Sequence, residues 1–196
     1  MKLRQLLFSA IFAALTALGA LFIKIPVPGT PLIITLQTFF VFMAGMLLEA
    51  RYAFFSQLVY VVIGLIGLPV FSGGGGFAYI LQPSFGFLIG FCVCAPLISV
   101  LVRNNLLETV SLKQKGILPL IKAFAGSFVS VAVLYTLGIS YMYMIFNVYL
   151  GNPKTLGAVI LLSQAGTFIF VDIIKFALAI PLCLAILKRI PKTLQA

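Results

Sequence analysis

Histidine is absent from this 196-residue chain, aspartate and glutamate together number 3, and charged residues make up only 8% of the sequence. Acid–base pairs, catalytic triads and metal-hydrolase sites therefore lack the side chains they need. The sequence also contains no P-loop motif that could hold nucleotide phosphates. We do not expect an enzyme, and any energy-driven step would have to draw on another chain or on an ion gradient.

Cysteine is also scarce. The sequence has 3, Cys92, Cys94 and Cys183, all within apolar segments and without CxxC spacing. This pattern indicates neither a metal site nor a disulfide framework. We interpret the cysteines as small packing residues, and we expect no metal and no cofactor.

What the sequence does contain is apolar residues, which are 63% of the total and give a mean hydropathy of +1.24. A bilayer core of about 30 Å requires about 20 apolar residues per helix, so the length allows roughly six spans with short loops. We predict a single all-α domain, residues 1–196, that forms a polytopic bundle of six transmembrane helices in the lipid bilayer. The predicted spans are about 3–23, 32–49, 52–69, 84–102, 117–146 and 156–187.

The first apolar run follows Lys2 and Arg4, as a signal peptide would. We predict that it is retained as the first helix, because it is long enough to span and has no clear processing site. Small residues recur along it at helical spacing and form a smooth face suited to close helix contact. They include Ala10, Ala13, Ala14 and Ala17.

Basic residues are divided unevenly between the two sides of a six-span chain. One side carries both termini and Lys2, Arg4, Arg51, Arg103, Lys113, Lys115, Lys122, Lys188, Arg189 and Lys192. Only Lys24 and Lys154 fall on the other side, and Lys175 lies within a span. The asymmetry predicts cytoplasmic N and C termini in a plasma membrane, with the loops at 24–31 and 70–83 facing outward. It also explains the net charge of +10 without a nucleic-acid partner.

Asp172 and Lys175 are predicted to lie near the middle of the last span. A charged residue at that depth costs about 2.5 to 3.5 kcal/mol on insertion scales, so such residues usually mark substrate or ion sites. Their i, i+3 spacing places them on one helix face, where they can partly neutralise each other and bind a polar ligand head. The alternative is an ion pair that only fixes helix packing.

Two further groups are candidates for the same ligand site. The glycine run at 73–76, with Gly73, Gly74 and Gly75 as candidate contacts, could fold over a ligand or act as a hinge, or could be a flexible connector. Aromatic residues beside it could form a wall for an apolar ring, although aromatics are also common at membrane interfaces. The remaining candidates are Phe71, Phe77, Tyr79 and the polar pair Thr35 and Gln37.

Several segments together resemble the BioY family, the biotin-binding S components of energy-coupling-factor (ECF) transporters. The matching segments, in order, are 25–31 (IPVPGTP), 34–38 (ITLQT), 64–71 (GLIGLPVF) with 73–76, 83–91 (PSFGFLIGF) and 172–175 (DIIK). The resemblance implies a bacterial six-helix receptor that captures biotin from outside, in a pocket closed by the first and third loops. Biotin is then the transported ligand, not a cofactor.

The resemblance also implies roles for particular residues. Asp172 and Lys175 match the acidic and basic residues of the last helix that contact the ureido ring of biotin. The alanines of the first helix match the motif by which S components dock on the transmembrane T component, whose two ATPase partners supply energy. Some family members also have a basic residue that could hold the valerate carboxylate, but here only Leu88 is found at that place. Backbone N–H groups of residues 73–76 are one hypothesis for that contact.

Three other readings stay open at this stage. The chain could be an S component for another vitamin, a stand-alone ion-coupled carrier that uses Asp172 as its proton or cation site, or a structural membrane protein without a ligand.

Overall fold

A computed structural model describes residues 3–29, 32–110, 118–163 and 165–189 of the chain. These residues are mostly helical, as the long apolar runs predict. The helices are α1 (Leu3–Phe22), α2 (Gln37–Leu47), α3 (Ala50–Leu65), α4 (Phe85–Ile98), α5 (Asn104–Val110), α6 (Leu118–Met144), α7 (Leu156–Ser163) and α8 (Ala165–Arg189). One π-helical turn, Ser99–Arg103, joins α4 to α5, and another, Ile145–Tyr149, extends α6.

Within the described ranges, 4 helical stretches are long and apolar enough to cross a membrane: Leu3–Phe22, Phe85–Val110, Leu118–Tyr149 and Ala165–Arg189. α2 and α3 are also apolar but have only 11 and 16 residues. At 1.5 Å per residue, α2 is about 16 Å long, which is roughly half a bilayer core. The fold is therefore that of an all-α, multi-span membrane protein in which two of the predicted spans form shorter helices than expected.

The predicted spans 84–102 and 117–146 leave residues 103–116 as a loop, and this prediction is wrong in its first half, because α5 continues the fourth helix to Val110. The reason is packing. Leu106 is fully buried, and α5 contacts both α6 and α8, so this polar-looking stretch has an apolar side that the bundle covers. Residues 111–117, which include Lys113 and Lys115, lie outside the described residues, as do Lys2 and Lys192.

A short antiparallel hairpin between α1 and α2 was not predicted from the Pro/Gly-rich segment. Strands β1 (Lys24–Pro26) and β2 (Ile33–Thr35) pair in the register Lys24↔Thr35, Ile25↔Ile34 and Pro26↔Ile33. At its base, Leu36 N–H donates to the Gly19 carbonyl at the end of α1 (3.0 Å). The hairpin is therefore anchored to the helices at the end where it enters α2.

The glycine-rich segment after α3, residues 66–76 and here called the glycine loop, is folded back onto that helix. Gly76 N–H donates to the Gly64 carbonyl (2.7 Å), and an added Cβ at Gly75 would collide with the Leu68 carbonyl. Phe71 is completely buried over Gly64, where a Cβ would collide with its ring. These glycines allow close backbone approach, so the segment is a packed loop held by specific contacts. It leads into a 3₁₀ helix, Phe77–Leu81.

Helix α4 lies at the centre of the bundle and packs against α2, α3 and α6, while α2 also packs against α8. Glycines permit the closest of these approaches: a Cβ at Gly138 on α6 would lie 2.5 Å from the Phe87 ring on α4. The arrangement brings the first turn of α2 and the middles of α6 and α8 together beneath the hairpin and the glycine loop.

Candidate functional site

A cavity of about 870 Å³, open mouth included, lies where the hairpin, the glycine loop and helices α2, α4, α6 and α8 meet. It is a concave site that combines hydrogen-bonding side chains with apolar and aromatic walls, as small-molecule pockets do. Its lining consists of Leu32, Ile33, Thr35, Gln37, Thr38, Ser72, Gly73, Tyr79, Gln82, Ser84, Phe87, Leu88, Phe91, Leu134, Tyr135, Phe168, Asp172 and Lys175.

Asp172 and Lys175 form the polar end of this cavity, one turn apart on α8. Lys175 Nζ lies 2.8 Å from Asp172 Oδ1, and the two residues are only 9% and 3% exposed. Removing two charges from water is costly unless they are paired and hydrogen-bonded. The geometry meets that condition, because other helices supply the remaining partners.

Two residues that sequence reasoning missed complete the network. Thr38, in the first turn of α2, donates to Asp172 Oδ1 (2.6 Å) and accepts from Lys175 Nζ (2.8 Å). Tyr135, in the middle of α6, donates to Asp172 Oδ2 (2.8 Å). Thr38 adjoins the predicted polar pair and could have been included for that reason. Tyr135 stands in an apolar helix, and nothing in its surroundings marks it out.

This network leaves a defined hydrogen-bonding capacity unused among the described residues. A carboxylate offers about four acceptor positions and an ammonium three donors. Asp172 accepts three hydrogen bonds, two at Oδ1 and one at Oδ2, and Lys175 donates two. Among the described residues, one acceptor position on Asp172 and one donor on Lys175 therefore remain unused, and both residues line the cavity.

Thr35 and Gln37 also line the cavity, but their polar groups are joined in a second network. Thr35 Oγ1 donates to Gln37 Oε1 (2.9 Å), and Gln37 Nε2 donates to the Tyr60 hydroxyl of α3. Tyr60 in turn donates to the Val70 carbonyl (3.2 Å). This chain of hydrogen bonds connects the start of α2 to the start of the glycine loop, and so fixes one side of the cavity mouth.

The three aromatic residues predicted as an apolar wall lie in different environments. Tyr79 lines the cavity. Phe71 is buried beneath it, with ring centroids 4.6 Å from Tyr79 and 5.5 Å from Tyr60. Phe77 is 76% exposed and does not line the cavity. The aromatic lining comes instead from residues that were not predicted, Phe87 and Phe91 on α4 and Phe168 on α8.

Of the candidate glycines, Gly73 lines the cavity, whereas Gly74 and Gly75 do not. The amides of Gly74 and Gly76 already donate to the carbonyls of Phe71 and Gly64. Two of the four backbone N–H groups of this run are therefore engaged within the loop. Gly73 is the member of the run whose backbone borders the cavity.

The small-residue stripe of α1 is divided between the core and the surface. Ala13 is 4% exposed and belongs to the core, and Ala17 is half-buried against it. Ala10 and Ala14 are exposed, one turn apart on the outer face of the helix. That face is smooth at these two positions and flanked by large exposed side chains such as Ile11.

No group of three His, Cys, Asp or Glu side chains lies close enough to hold a metal ion in the described ranges. The polar end of the cavity consists of the hydrogen-bonded side chains of Thr38, Tyr135, Asp172 and Lys175. The lining beyond that end combines apolar and aromatic residues with Thr35, Gln37, Ser72, Gln82 and Ser84.

Comparisons with known proteins agree with this picture. The model of the BioY family matches residues 1–192. A probable biotin transporter BioY of Lysinibacillus sphaericus is 42% identical over 84% of this chain and 78% of its own length, and the biotin transporter BioY of Rhizobium etli is 32% identical over 97% of each. A crystal structure of the S-component for biotin from an ECF-type ABC transporter superposes with a TM-score of 0.70, at 25% identity, over 99% of this chain and 96% of the other.

Proposed function

The chain belongs to the BioY family, and from that premise we propose that it captures biotin as the membrane-embedded S component of an ECF transporter. It is a transport protein, not an enzyme. Biotin is its transported ligand, and no cofactor takes part in our proposal.

The observation that carries the proposal is the unused hydrogen-bonding capacity at Asp172 and Lys175. The ureido ring of biotin presents an N–H donor directly beside its carbonyl acceptor. One free acceptor on Asp172 and one free donor on Lys175 complement that edge without breaking any hydrogen bond of the ligand-free network. Charge-assisted hydrogen bonds of this kind are about twice as strong as neutral ones.

The rest of the cavity suits the rest of the ligand. Phe87, Phe91 and Phe168 present apolar surface to the thioether ring, whose sulfur makes favourable contacts with aromatic edges. Gly73 of the glycine loop and Tyr79 of the following 3₁₀ helix border the cavity, so this segment and the hairpin form the cover over the bound ligand. Gln37 and Thr35 support the cover through the hydrogen bonds that lead to the glycine loop, and Phe71 anchors it from below.

We place the protein in a bacterial plasma membrane, with six crossings and both termini in the cytoplasm. In this arrangement α2 and α3 provide the second and third crossings, and β2 extends α2 toward the outer surface. Glu49, Arg51 and Arg103 lie at the end of the bundle opposite the hairpin, where the positive-inside rule requires basic residues. The cavity then opens to the outside.

Energy for transport comes from partner subunits in this proposal, a transmembrane T component and two ATPases. Ala10 and Ala14 form the exposed part of the smooth α1 face on which the T component docks, while Ala13 and Ala17 hold α1 against its own bundle. Small residues are the usual means by which helices approach closely in a membrane.

Thermal unfolding of the detergent-purified chain tests the ligand. Biotin at 100 times its Kd should stabilise the folded state by about 2.7 kcal/mol, a rise in Tm of about 5 to 10 °C for a chain of this size. Thiamine and riboflavin at the same concentration serve as controls. A rise in Tm with thiamine or riboflavin and none with biotin would assign the protein to a different vitamin. A separate uptake assay tests the energy source: uptake that needs no ATPase subunit but collapses with an uncoupler would favour an ion-coupled carrier.

A further inference from the structure

The position of Lys24 in the hairpin follows from the strand register. Ile33 and Thr35 alternate along β2 and both line the cavity, so they define the cavity side of the ladder. Lys24 is paired with Thr35 across the antiparallel ladder. Directly paired side chains lie on the same face with Cβ atoms about 5 Å apart, which places Lys24 on the cavity side, one strand outward from the lining.

From that position the ammonium can reach the mouth of the cavity. Lys24 is exposed, and lysine carries its charge on a flexible four-carbon stem. Thr35 is 7% exposed and borders the cavity below it. A side chain that starts in the outer strand can therefore fold over Thr35 toward the opening, while its ammonium stays in contact with water.

Lys24 also lacks an acidic neighbour that would compete for it. The sequence has 3 acidic residues. Asp172 pairs with Lys175 inside the cavity, Glu49 lies at the far end of α2, and Glu108 lies in α5. The cation on the hairpin thus faces the mouth of the cavity without a protein carboxylate at its end of the bundle.

The uncharged Ser72, Gln82 and Ser84 line the cavity, but the other positions considered for a charged or backbone contact with an anion are poorly placed. Leu88 stands where some members of the BioY family have a basic residue. It is apolar and buried. The amides of Gly74 and Gly76 are already engaged. Lys154, the second basic residue at this end, lies in a separate loop between α6 and α7, with its Nζ 5.6 Å from the Phe146 ring centroid.

We propose that Lys24 binds the carboxylate of the ligand's aliphatic tail at the mouth of the cavity, and so sets the preference for the acid over its neutral derivatives. The inference rests on the proposed function, since it assigns the tail end of the same ligand. The ring is held at the α8 pair and the tail points to the hairpin, so that the negative end of biotin meets the exposed cation of β1.

The test compares biotin with biotinamide, in which a neutral amide replaces the carboxylate. Affinities of both are measured by calorimetry for the wild type, Lys24→Gln, Lys24→Arg and the control Lys154→Gln. We expect the wild type to prefer biotin by about fivefold, the upper end for an exposed ion pair. Lys24→Gln should lose this preference by weakening biotin alone, whereas Lys24→Arg and Lys154→Gln should keep it.

Salt provides an independent readout. The Debye length falls from about 30 Å at 0.01 M to about 3 Å at 1 M ionic strength, so biotin binding by the wild type should weaken with salt while biotinamide binding should not. An equal preference for biotin in Lys24→Gln and wild type, or equal wild-type affinity for the two compounds, would overturn the role of Lys24 and leave biotin as the ligand. Failure of the wild type to bind either compound would instead overturn the proposed function.

Discussion

Replacing the buried charges of α8 one at a time and then together separates a binding role from a packing role. The variants are Asp172→Leu, Lys175→Met and the double variant. Removing the carboxylate alone leaves a buried ammonium whose described hydrogen-bond partner is only Thr38. Breaking a buried ion pair in this way lowers the free energy of unfolding by about 3 to 5 kcal/mol. We expect a loss near the lower limit of this range, because the open mouth of the cavity gives water access to Lys175.

The double variant should recover most of that loss. Apolar residues of similar volume in place of a buried ion pair are often neutral or stabilising by about 1 to 4 kcal/mol. The free energy of unfolding should therefore be lowest in the two single variants and close to wild type in the double one. Unfolding of the purified protein by titration with a denaturing detergent, followed by circular dichroism, measures these differences and gives the coupling between the two residues.

Biotin binding should follow a different order. Each hydrogen bond to a charged group contributes about 1.5 to 3 kcal/mol, so loss of both contacts should reduce affinity by at least about 100-fold. The stable double variant should therefore bind biotin no better than the unstable single variants do. Wild-type affinity in the double variant would refute our reasoning, because Asp172 and Lys175 would then only hold helices together.

Two further predictions concern residues at a distance from this pair. Tyr135→Phe removes the hydroxyl that donates to the Asp172 carboxylate, and we expect biotin affinity to fall about tenfold, within the range for a hydrogen bond to a charged group. Tyr143→Phe, on the exposed side of the same helix, is the control. Equal biotin affinities in the two variants would exclude a role for Tyr135. Ala14→Leu adds bulk to the exposed face of α1. It should reduce co-purification with the T component and leave biotin affinity unchanged. Undiminished co-purification would show that docking uses another face.

The sequence predicted the helical membrane fold because apolar runs longer than about 20 residues have few alternatives in a bilayer. α1 ends within one residue of its predicted limit. The errors occur where tertiary contacts decide the local structure. The first turn of α5 is polar in sequence but is held by the burial of Leu106, and β1 and β2 form only because two proline-flanked segments pair with each other.

Residues of the candidate site could be predicted where composition makes a residue unusual. A charged pair in an apolar helix is conspicuous, so Asp172 and Lys175 could be identified from sequence. Tyr135 and Phe168 are ordinary residues for a membrane helix, and only the packing of α6 and α8 around the cavity gives them a role. Phe71 was predicted from sequence as part of the cavity wall but does not line the cavity. Its ring packs over Gly64, where it is a buried anchor of the glycine loop.

The polar end of the cavity is fixed before any ligand arrives. Three donors from three helices, Thr38 on α2, Tyr135 on α6 and Lys175 on α8, determine the orientation of the Asp172 carboxylate. A ligand that uses only the remaining acceptor and donor does not have to break these bonds or immobilise the side chains that make them, and such preorganisation lowers the free-energy cost of binding. The hairpin and the glycine loop, by contrast, are joined to the helices by a few backbone hydrogen bonds, the Tyr60–Val70 hydrogen bond and the packing of Phe71 over Gly64. We therefore expect affinity to originate mainly at the preorganised polar end of the cavity, and the opening and closing needed for capture and release to occur at the hairpin and the glycine loop.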